Sequence, residues 1–244
     1  MNADLDQLRS AQAEQGWCIL PQALEPARLS RLLALTDRLV DSLDEGVRRS
    51  EGAVYAARNV VQVIPEVVSE WRSPMLVDFI HRCLGTEAGL VRILFFDKPP
   101  EQTWALPWHK DLLIATQPFA AAEGYSPPRP RAGVLHTEPP LSVLESMVTL
   151  RLHLDEITPE NGPLQVASGT HRTGKTLLLD GYPQHTICTA AGDVLAMSPL
   201  LVHCSGSSDP ATTRHRRILH LEFSRTRDLP GGVRWHFWSP VDGQ

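Results

Sequence analysis

Pro107-Trp108-His109-Lys110-Asp111 is the stretch on which the reading of this chain turns. In extended backbone, residues i and i+2 project to the same side. His109 and Asp111 then present an imidazole and a carboxylate to one point, as two ligands of a single metal ion would. A third ligand has to come from elsewhere. The best candidate is His203, in Pro199-Leu200-Leu201-Val202-His203-Cys204-Ser205-Gly206-Ser207, where an apolar run gives way to a small polar loop. Two histidines and one carboxylate form the facial triad of non-haem Fe(II) oxygenases, which leaves coordination positions open for reactants. If His109 and His203 share an ion, residues from about 90 onward must belong to one closed unit.

Downstream lies Thr213-Arg214-His215-Arg216-Arg217-Ile218-Leu219-His220-Leu221-Glu222-Phe223. An oxygenase that consumes 2-oxoglutarate must hold the far carboxylate of that cosubstrate, and a buried arginine suits this through its bidentate fork. Strand parity splits the segment. Arg216, Ile218, His220 and Glu222 share one side, and Arg217, Leu219, Leu221 and Phe223 the other. If the polar side lines the metal cavity, the anchor is Arg216, or Arg214 by the same parity. If the apolar side does, it is Arg217.

Composition bounds the rest. The chain has 244 residues, with 42% hydrophobic and 21% charged positions, enough to bury a real core and too apolar for wholesale disorder. Its net charge of −5, with arginines interspersed among acids, argues against nucleic acid as a partner. No run approaches a membrane span, so no membrane partner is expected. The opening residues lack a secretory pattern, and no C-x-x-C pair occurs among the four cysteines. A reducing, cytoplasmic setting is the expectation. Nothing fixes the oligomeric state.

The front of the chain reads as helical. Leu29, Leu32, Leu33, Thr36, Leu39, Val40 and Leu43 recur at helical spacing over residues 25–45, Ser73-Pro74 to Gly85 carries start and stop signals, and residues 3–14 form a weaker candidate. After Gly89 the pattern becomes short β-rich runs: Leu90–Asp97, Met147–Asp155, Gly162–Ala167, His185–Thr189, Asp193–Met197, Arg216–Phe223 and Val233–Trp238. Residues 126–140 hold five prolines and read as a long loop placed where a substrate lid would sit. Helices first and strands afterwards predict an α+β, mainly β chain whose strands close into a sandwich or barrel.

Four segments in order carry a family resemblance. They are Gly16-Trp17-Cys18-Ile19-Leu20-Pro21 before a leucine-rich helix, Phe96-Asp97-Lys98-Pro99-Pro100 leading to the His109-x-Asp111 box, Glu160-Asn161-Gly162-Pro163-Leu164-Gln165-Val166-Ala167-Ser168-Gly169-Thr170-His171-Arg172, and His203-Cys204-Ser205-Gly206 with Arg216-Arg217. Together the chain resembles the phytanoyl-CoA dioxygenase-like (PhyH) family of Fe(II)/2-oxoglutarate-dependent oxygenases. The resemblance implies a double-stranded β-helix, the cupin-like jelly roll, with N-terminal helices packed outside. It implies one oxygenase domain over residues 1–244, with a helical front to about 88 and a β-helix core over about 89–240. It places Fe(II) on His109, Asp111 and His203 and 2-oxoglutarate on Arg216, assisted by Ser205, with O2 as the other reactant. The 203–216 loop is about two residues longer than in familiar members, which keeps Arg214 in play.

Thr149, Arg151 and His153 share one face of their strand, and that polar face is expected to line the site, with Thr149 and Arg151 toward the cosubstrate. Where relatives commonly carry an aromatic and a small residue, this chain has Arg151 and His153, which points to an anionic or strongly hydrogen-bonding small-molecule substrate. His153, His136, Arg172 and Trp108 are the substrate-contact candidates. The expected activity is hydroxylation, or another oxidation, of a C–H bond with release of succinate and CO2. Retention of the Asp111 carboxylate argues against halogenation. The competing readings are a cupin-like metal hydrolase or isomerase using the same triad without 2-oxoglutarate, and a binding domain that kept the barrel; intact ligands argue against the latter.

Overall fold

The structure is a computed structural model that describes residues 2–39, 42, 44–50, 53–100 and 103–243. Its helices are α1 (Asn2–Gln15), α2 (Pro26–Asp37), α3 (Val60–Val63), α4 (Val67–Glu70), α5 (Pro74–Leu84) and α6 (Leu141–Glu145). Its strands are β1 (Trp17–Leu20), β2 (Val47–Ser50), β3 (Ala53–Ala57), β4 (Gly89–Phe96), β5 (Leu106–His109), β6 (Ile114–Thr116), β7 (Arg129–Arg131), β8 (Val134–Thr137), β9 (Met147–His153), β10 (Leu164–Ala167), β11 (Gln184–Ile187), β12 (Val194–Met197), β13 (Val202–Ser205), β14 (Ile218–Ser224) and β15 (Ser239–Pro240).

Two antiparallel sheets carry the architecture. One runs β1-β12-β9-β14-β4-β3-β2, with β15 also on β4; the other runs β11-β10-β13-β5. From β4 onward the chain crosses repeatedly between them, so that β4, β9, β12 and β14 build one wall and β5, β10, β11 and β13 the other. This is the double-stranded β-helix, or jelly roll. Side chains of both walls line one interior pocket.

Alternation along the central strands decides what each face does. Val148, Leu150, Leu152 and Leu154 of β9 and its exit, with Leu219, Leu221 and Phe223 of β14, join the main hydrophobic core. Leu32 and Thr36 face inward from α2, and Leu76, Phe79, Ile80 and Leu84 from α5. Fully burying a side chain such as Phe79 stabilises by roughly 1.5–3 kcal/mol. The helices therefore cover the apolar face of the larger sheet. The opposite face, with Thr149, Arg151, His220 and Glu222, turns toward the second sheet, which answers the parity question left open by the sequence.

Local signals behave as physics dictates at α5. Ser73 Oγ accepts from Leu76 N at 3.3 Å, Pro74 opens the first turn, and Gly85, at φ 89°, closes it. Elsewhere the structure departs from the expected elements. The helix read over 25–45 ends at Asp37, where Arg38 N and Leu39 N bond back to Leu35 O and Thr36 O; Val40 and Leu43 lie outside the described residues. The front also supplies β1, β2 and β3 to the larger sheet.

The proline-rich stretch is not a loop. It folds into the β7–β8 hairpin, whose turn residues Ala132 and Gly133 both have positive φ (51° and 74°), the geometry that suits a two-residue hairpin turn. Pro130 is tolerated because β7 is the edge of its small sheet. The expected strand at Val233–Trp238 is reduced to isolated bridges at Arg234 and Trp235. Trp235 is instead buried in a satellite core, its Nε1 donating to Thr226 O at 3.1 Å.

Candidate active site

The register of the smaller sheet sets His203 of β13 directly opposite His109 of β5. Their ring centroids lie 4.2 Å apart. Each ring is fixed by its own strand: His109 Nδ1 bonds Pro107 O at 2.7 Å and His203 Nδ1 bonds Leu201 O at 2.9 Å. Carbonyls only accept, so each Nδ1 carries the proton and each Nε2 keeps a free lone pair. Both lone pairs face Asp111, with His109 Nε2 3.8 Å from Oδ1 and His203 Nε2 3.6 Å from Oδ2. The three ligand atoms lie within 4.8 Å of one another.

Asp111 reaches this point without the strand geometry assumed from sequence. β5 ends at His109, and Asp111 is set by its backbone N–H, which donates to Pro199 O at 2.9 Å. Lys110 points away between the two ligands. Its buried ammonium donates to Thr170 O (2.9 Å), Thr173 Oγ1 (2.9 Å) and Gly174 O (2.7 Å), tying the box to the loop after β10. Burial alone would raise the Asp111 pKa, but His203, His220, His109 and Arg92 outweigh it and hold it down at about 2. Burial pushes His203 down to about 4, keeping its imidazole neutral. Asp111 Oδ2 is buried without a hydrogen-bond partner among the described residues. A carboxylate oxygen left in that state costs free energy unless a cation meets it, so this donor set fits a divalent metal.

Behind the triad stands a cluster of buried cations. Arg216 is 1% exposed and Lys98 is fully buried. The two are opposed, Lys98 N donating to Arg216 O (3.3 Å) and Arg216 N to Lys98 O (3.2 Å). Their side chains converge on Gly162 O, and Lys98 Nζ also donates to Ser205 Oγ at 3.3 Å and to Gly206 O. The Trp104 ring covers both, 4.7 Å from Lys98 Nζ and 5.7 Å from Arg216 Cζ. Arg216 Nε has no partner among the described residues. Burial first, then mutual repulsion with Arg216 and Arg151, pushes the Lys98 pKa down to about 7. Arg216 lines the inner pocket together with Arg151 and Ser205, with Lys98 buried behind it, and Arg216 forms no ion pair among the described residues; such a wall fits the carboxylate of a small dicarboxylate.

Arg217 and Arg214 are engaged elsewhere. Arg217 forms a bidentate pair with Asp155 (2.9 and 2.8 Å), and Arg214 pairs with exposed Glu156 at 2.5 Å. Gly162 has to be glycine: its φ is +67°, and a Cβ there would sit 2.6 Å from Gly206 O and 2.8 Å from Lys98 Nζ. Asn161 sets that turn by accepting from Thr158 N at 2.9 Å and donating to Glu156 O at 2.8 Å.

The remaining sequence candidates divide. Arg151 lines the inner pocket and donates to His220 Nδ1 at 3.2 Å. The proton of His220 is therefore on Nε2, which faces Asp111 Oδ2 (3.8 Å) and Glu222 Oε1 (3.6 Å). His136 is buried on the wall of the larger outer cavity. Thr149 is buried opposite Glu222, and His153 is buried with its Nδ1 2.7 Å from Thr189 Oγ1; neither lines a cavity at the triad. Trp108 is half-buried beside His109 but off both walls. Arg172 is exposed at a separate cleft with Gln12, Cys83 and Arg225. Lys98, Trp104 and His220 were not singled out from sequence. His220 shared the polar parity with Arg216, which was the available signal.

An inner pocket of ≈ 50 Å³ holds His109, Asp111, His203, Ser205, Arg216 and His220. It shares Leu94, Phe96, Trp104 and Leu106 with an outer cavity of ≈ 620 Å³.

A family model described as phytanoyl-CoA dioxygenase (PhyH) matches residues 13–217. No curated protein matches the chain. Among solved structures, EctD from S. alaskensis in its apoform aligns with TM-score 0.69 at 16% identity, over 93% of this chain and 79% of that one. SnoN, described as a non-heme alpha ketoglutarate dependent epimerase from nogalamycin biosynthesis, aligns with TM-score 0.67 at 16% identity, over 93% and 83%. EvdMO1 aligns with TM-score 0.67 at 21% identity over 90% of this chain, which spans half the length of EvdMO1. At these identities the likeness is one of fold. Among the described residues, no helix is long and apolar enough to cross a membrane.

Proposed function

The chain belongs to the phytanoyl-CoA dioxygenase (PhyH) family of Fe(II)/2-oxoglutarate-dependent oxygenases, and from that premise we propose that it hydroxylates a C–H bond of a small organic substrate, with His109, Asp111 and His203 as iron ligands. The observation that carries the reading is the meeting of two Nε2 lone pairs with the unpartnered Asp111 Oδ2, beside two buried cations. When bound, Fe(II) with 2-oxoglutarate and O2 supplies the oxidising equivalent that functionalises the substrate while succinate and CO2 are released.

The chain's own residues supply position. Carbonyl acceptors at Pro107 and Leu201 hold both imidazoles in the ligating tautomer. Lys110 keeps the box registered against the loop after β10. His220, oriented by Arg151, turns its Nε2–H toward Asp111 Oδ2 and Glu222 Oε1 at 3.8 and 3.6 Å, beyond hydrogen-bond reach of either, and forms the polar wall beside the triad. Arg216, with Lys98 and Ser205 at its side, holds the distal carboxylate of the cosubstrate, and Trp104 keeps water from that ion pair. A hydrolase or isomerase on the same triad would have no use for this buried cation pair.

Anaerobic addition of Fe(II) and 2-oxoglutarate to the apoprotein tests the assignment. A weak visible charge-transfer band is expected, absent in His109→Ala and in Asp111→Ala. Unaltered bands in both variants would remove the triad. Succinate release across a panel of substrates separates the oxygenase from the hydrolase or isomerase, which form none.

A further inference from the structure

The outer cavity carries a second cationic feature on a different wall from Arg216 and Lys98. Arg48 of β2, Arg58 just after β3 and Arg131 of β7 line it, together with His136 and with the metal-side residues His109 and Asp111. Arg48 and Arg131 are exposed at the rim, and Arg58 is half-buried. Among the described residues, none of the three side chains makes an ion pair or a hydrogen bond. The other cavity arginine, Arg92, is already neutralised by buried Glu222, its Nε donating to Oε2 at 2.9 Å. The only carboxylate on the described cavity wall is Asp111.

The arrangement is built, not a scatter of surface charge. Asn59, next to Arg58, donates through Nδ2 to Asp44 Oδ1 (3.2 Å) at the base of the β2–β3 hairpin and to Ala132 O (3.0 Å) in the β7–β8 turn. Arg58 N donates to Gly46 O at 3.0 Å. One amide thus clamps the two hairpins that present the arginines. Burial, followed by the proximity of Arg92, Arg131 and Arg48, lowers the Arg58 pKa, in keeping with like charges held together against repulsion. Between this group and the triad the wall is apolar, with Leu94, Phe96, Leu106 and Leu112. At ≈ 620 Å³ the cavity is the size of a site for a whole small-molecule ligand.

We propose that Arg48, Arg58 and Arg131 form an oxyanion subsite that binds the carboxylate or phosphate of the substrate, while its apolar body lies along Leu94, Phe96 and Leu112 and brings a C–H bond to the metal. The substrate class is then an organic acid or a phosphate ester with an apolar stretch. Planar guanidinium forks match such oxyanions, and three of them, from β2, the end of β3 and β7, fix one end of the ligand. This rests on the oxygenase reading only for the identity of the reacting end; the anion subsite stands on the cavity itself.

The test is calorimetric titration of phenyl phosphate, phenylacetate and neutral benzyl alcohol into the whole chain, alone and with Fe(II) and 2-oxoglutarate added anaerobically. At least one anion should bind, weakening as salt is raised, and benzyl alcohol should bind at least tenfold more weakly. Preference for the phosphate over the carboxylate identifies the natural group. Arg58→Gln, and separately the exposed Arg131→Gln, should weaken anion binding about tenfold with the charge-transfer band retained. Equal affinity for all three probes, or anion binding unaffected in both variants, overturns the subsite. Intact anion binding without any charge-transfer band would fault the iron and 2-oxoglutarate reading instead.

Discussion

Lys98 and Arg216 face each other across a backbone hydrogen-bonded pair, and their two buried cations converge on the Gly162 carbonyl from the same point of the fold. Like charges set opposite each other are destabilising, and among the described residues neither side chain forms an ion pair, although Asp97 partly offsets Arg216. Lys98, with a pKa lowered to about 7 mainly by burial, loses its proton in the folded apoprotein well before it would in the unfolded chain. From pH 7 to about 10 the unfolded state binds the extra proton, so this group makes apoprotein stability rise with pH across that window. A bound dianion reverses the preference and restores the charge. Binding of 2-oxoglutarate should therefore take up protons near neutral pH and weaken as pH rises above about 7. Calorimetry in buffers of differing ionisation enthalpy reads this directly; affinity independent of pH from 6.5 to 9 would contradict it.

The parity ambiguity among the three arginines predicts an ordering. Arg216 is buried with a free Nε, whereas Arg214 spends its charge on exposed Glu156. Arg216→Ala should raise the 2-oxoglutarate concentration needed for half-maximal succinate release by a factor of 100 or more, on the order of 3 kcal/mol for a lost charged hydrogen-bonded contact. Arg214→Ala should change it less than about threefold, as exposed pairs contribute little. The reverse ordering would transfer the anchor.

How much of this was legible depends on which interactions are local. His109-x-Asp111 and His203 stand out because ligand chemistry restricts residue type and spacing. The strands β9 and β14 were readable from alternation, and α5 from its cap, proline and glycine. Arg214, Arg216 and Arg217 could not be ranked, because only the helices packed on Leu219, Leu221 and Phe223 decide which face turns inward. Lys98 escaped notice because its partner is 118 positions away in the chain. The β7–β8 hairpin was hidden by its prolines: Pro130 argues against a strand unless that strand is an edge, which is a tertiary fact. Trp108 was a substrate candidate by its nearness to the metal box and Arg172 by its place on the loop after β10; Trp108 lies off both cavity walls at the triad, and Arg172 lines a separate cleft.

Lys110, between two ligands, serves position. Its three donors satisfy Thr170 O, Thr173 Oγ1 and Gly174 O in a buried setting. Lys110→Met keeps the stem and removes all three bonds; Thr170 O keeps the Thr173 hydroxyl as donor, but Gly174 O loses its ammonium partner, and a lost bond to a charged group or an unpaired buried acceptor costs roughly 1–3 kcal/mol. Stability should fall by about 2–4 kcal/mol, seen as a lower denaturation midpoint, and the affinity for Fe(II) should fall with it. A variant as stable as the parent with unchanged metal affinity would show that the box holds its register without this anchor.

Gly162 offers the sharpest steric test, since backbone conformation and contact argue in the same direction. At φ +67° an L-residue is strained by about 1 kcal/mol. The added methyl also meets Gly206 O at 2.6 Å and Lys98 Nζ at 2.8 Å. Lys98 Nζ ends a flexible chain and can retreat, but the Gly206 carbonyl is backbone and cannot move without dragging the loop after β13. Gly162→Ala should thus cost about 2–3 kcal/mol in stability. It should also displace the carbonyl on which Arg216 and Lys98 both rest, so 2-oxoglutarate binding should weaken by tenfold or more while Fe(II) alone still binds at His109, Asp111 and His203. Equal losses of metal and cosubstrate would mean that the substitution unfolds the site as a whole, and calorimetric titration of each ligand distinguishes the two results.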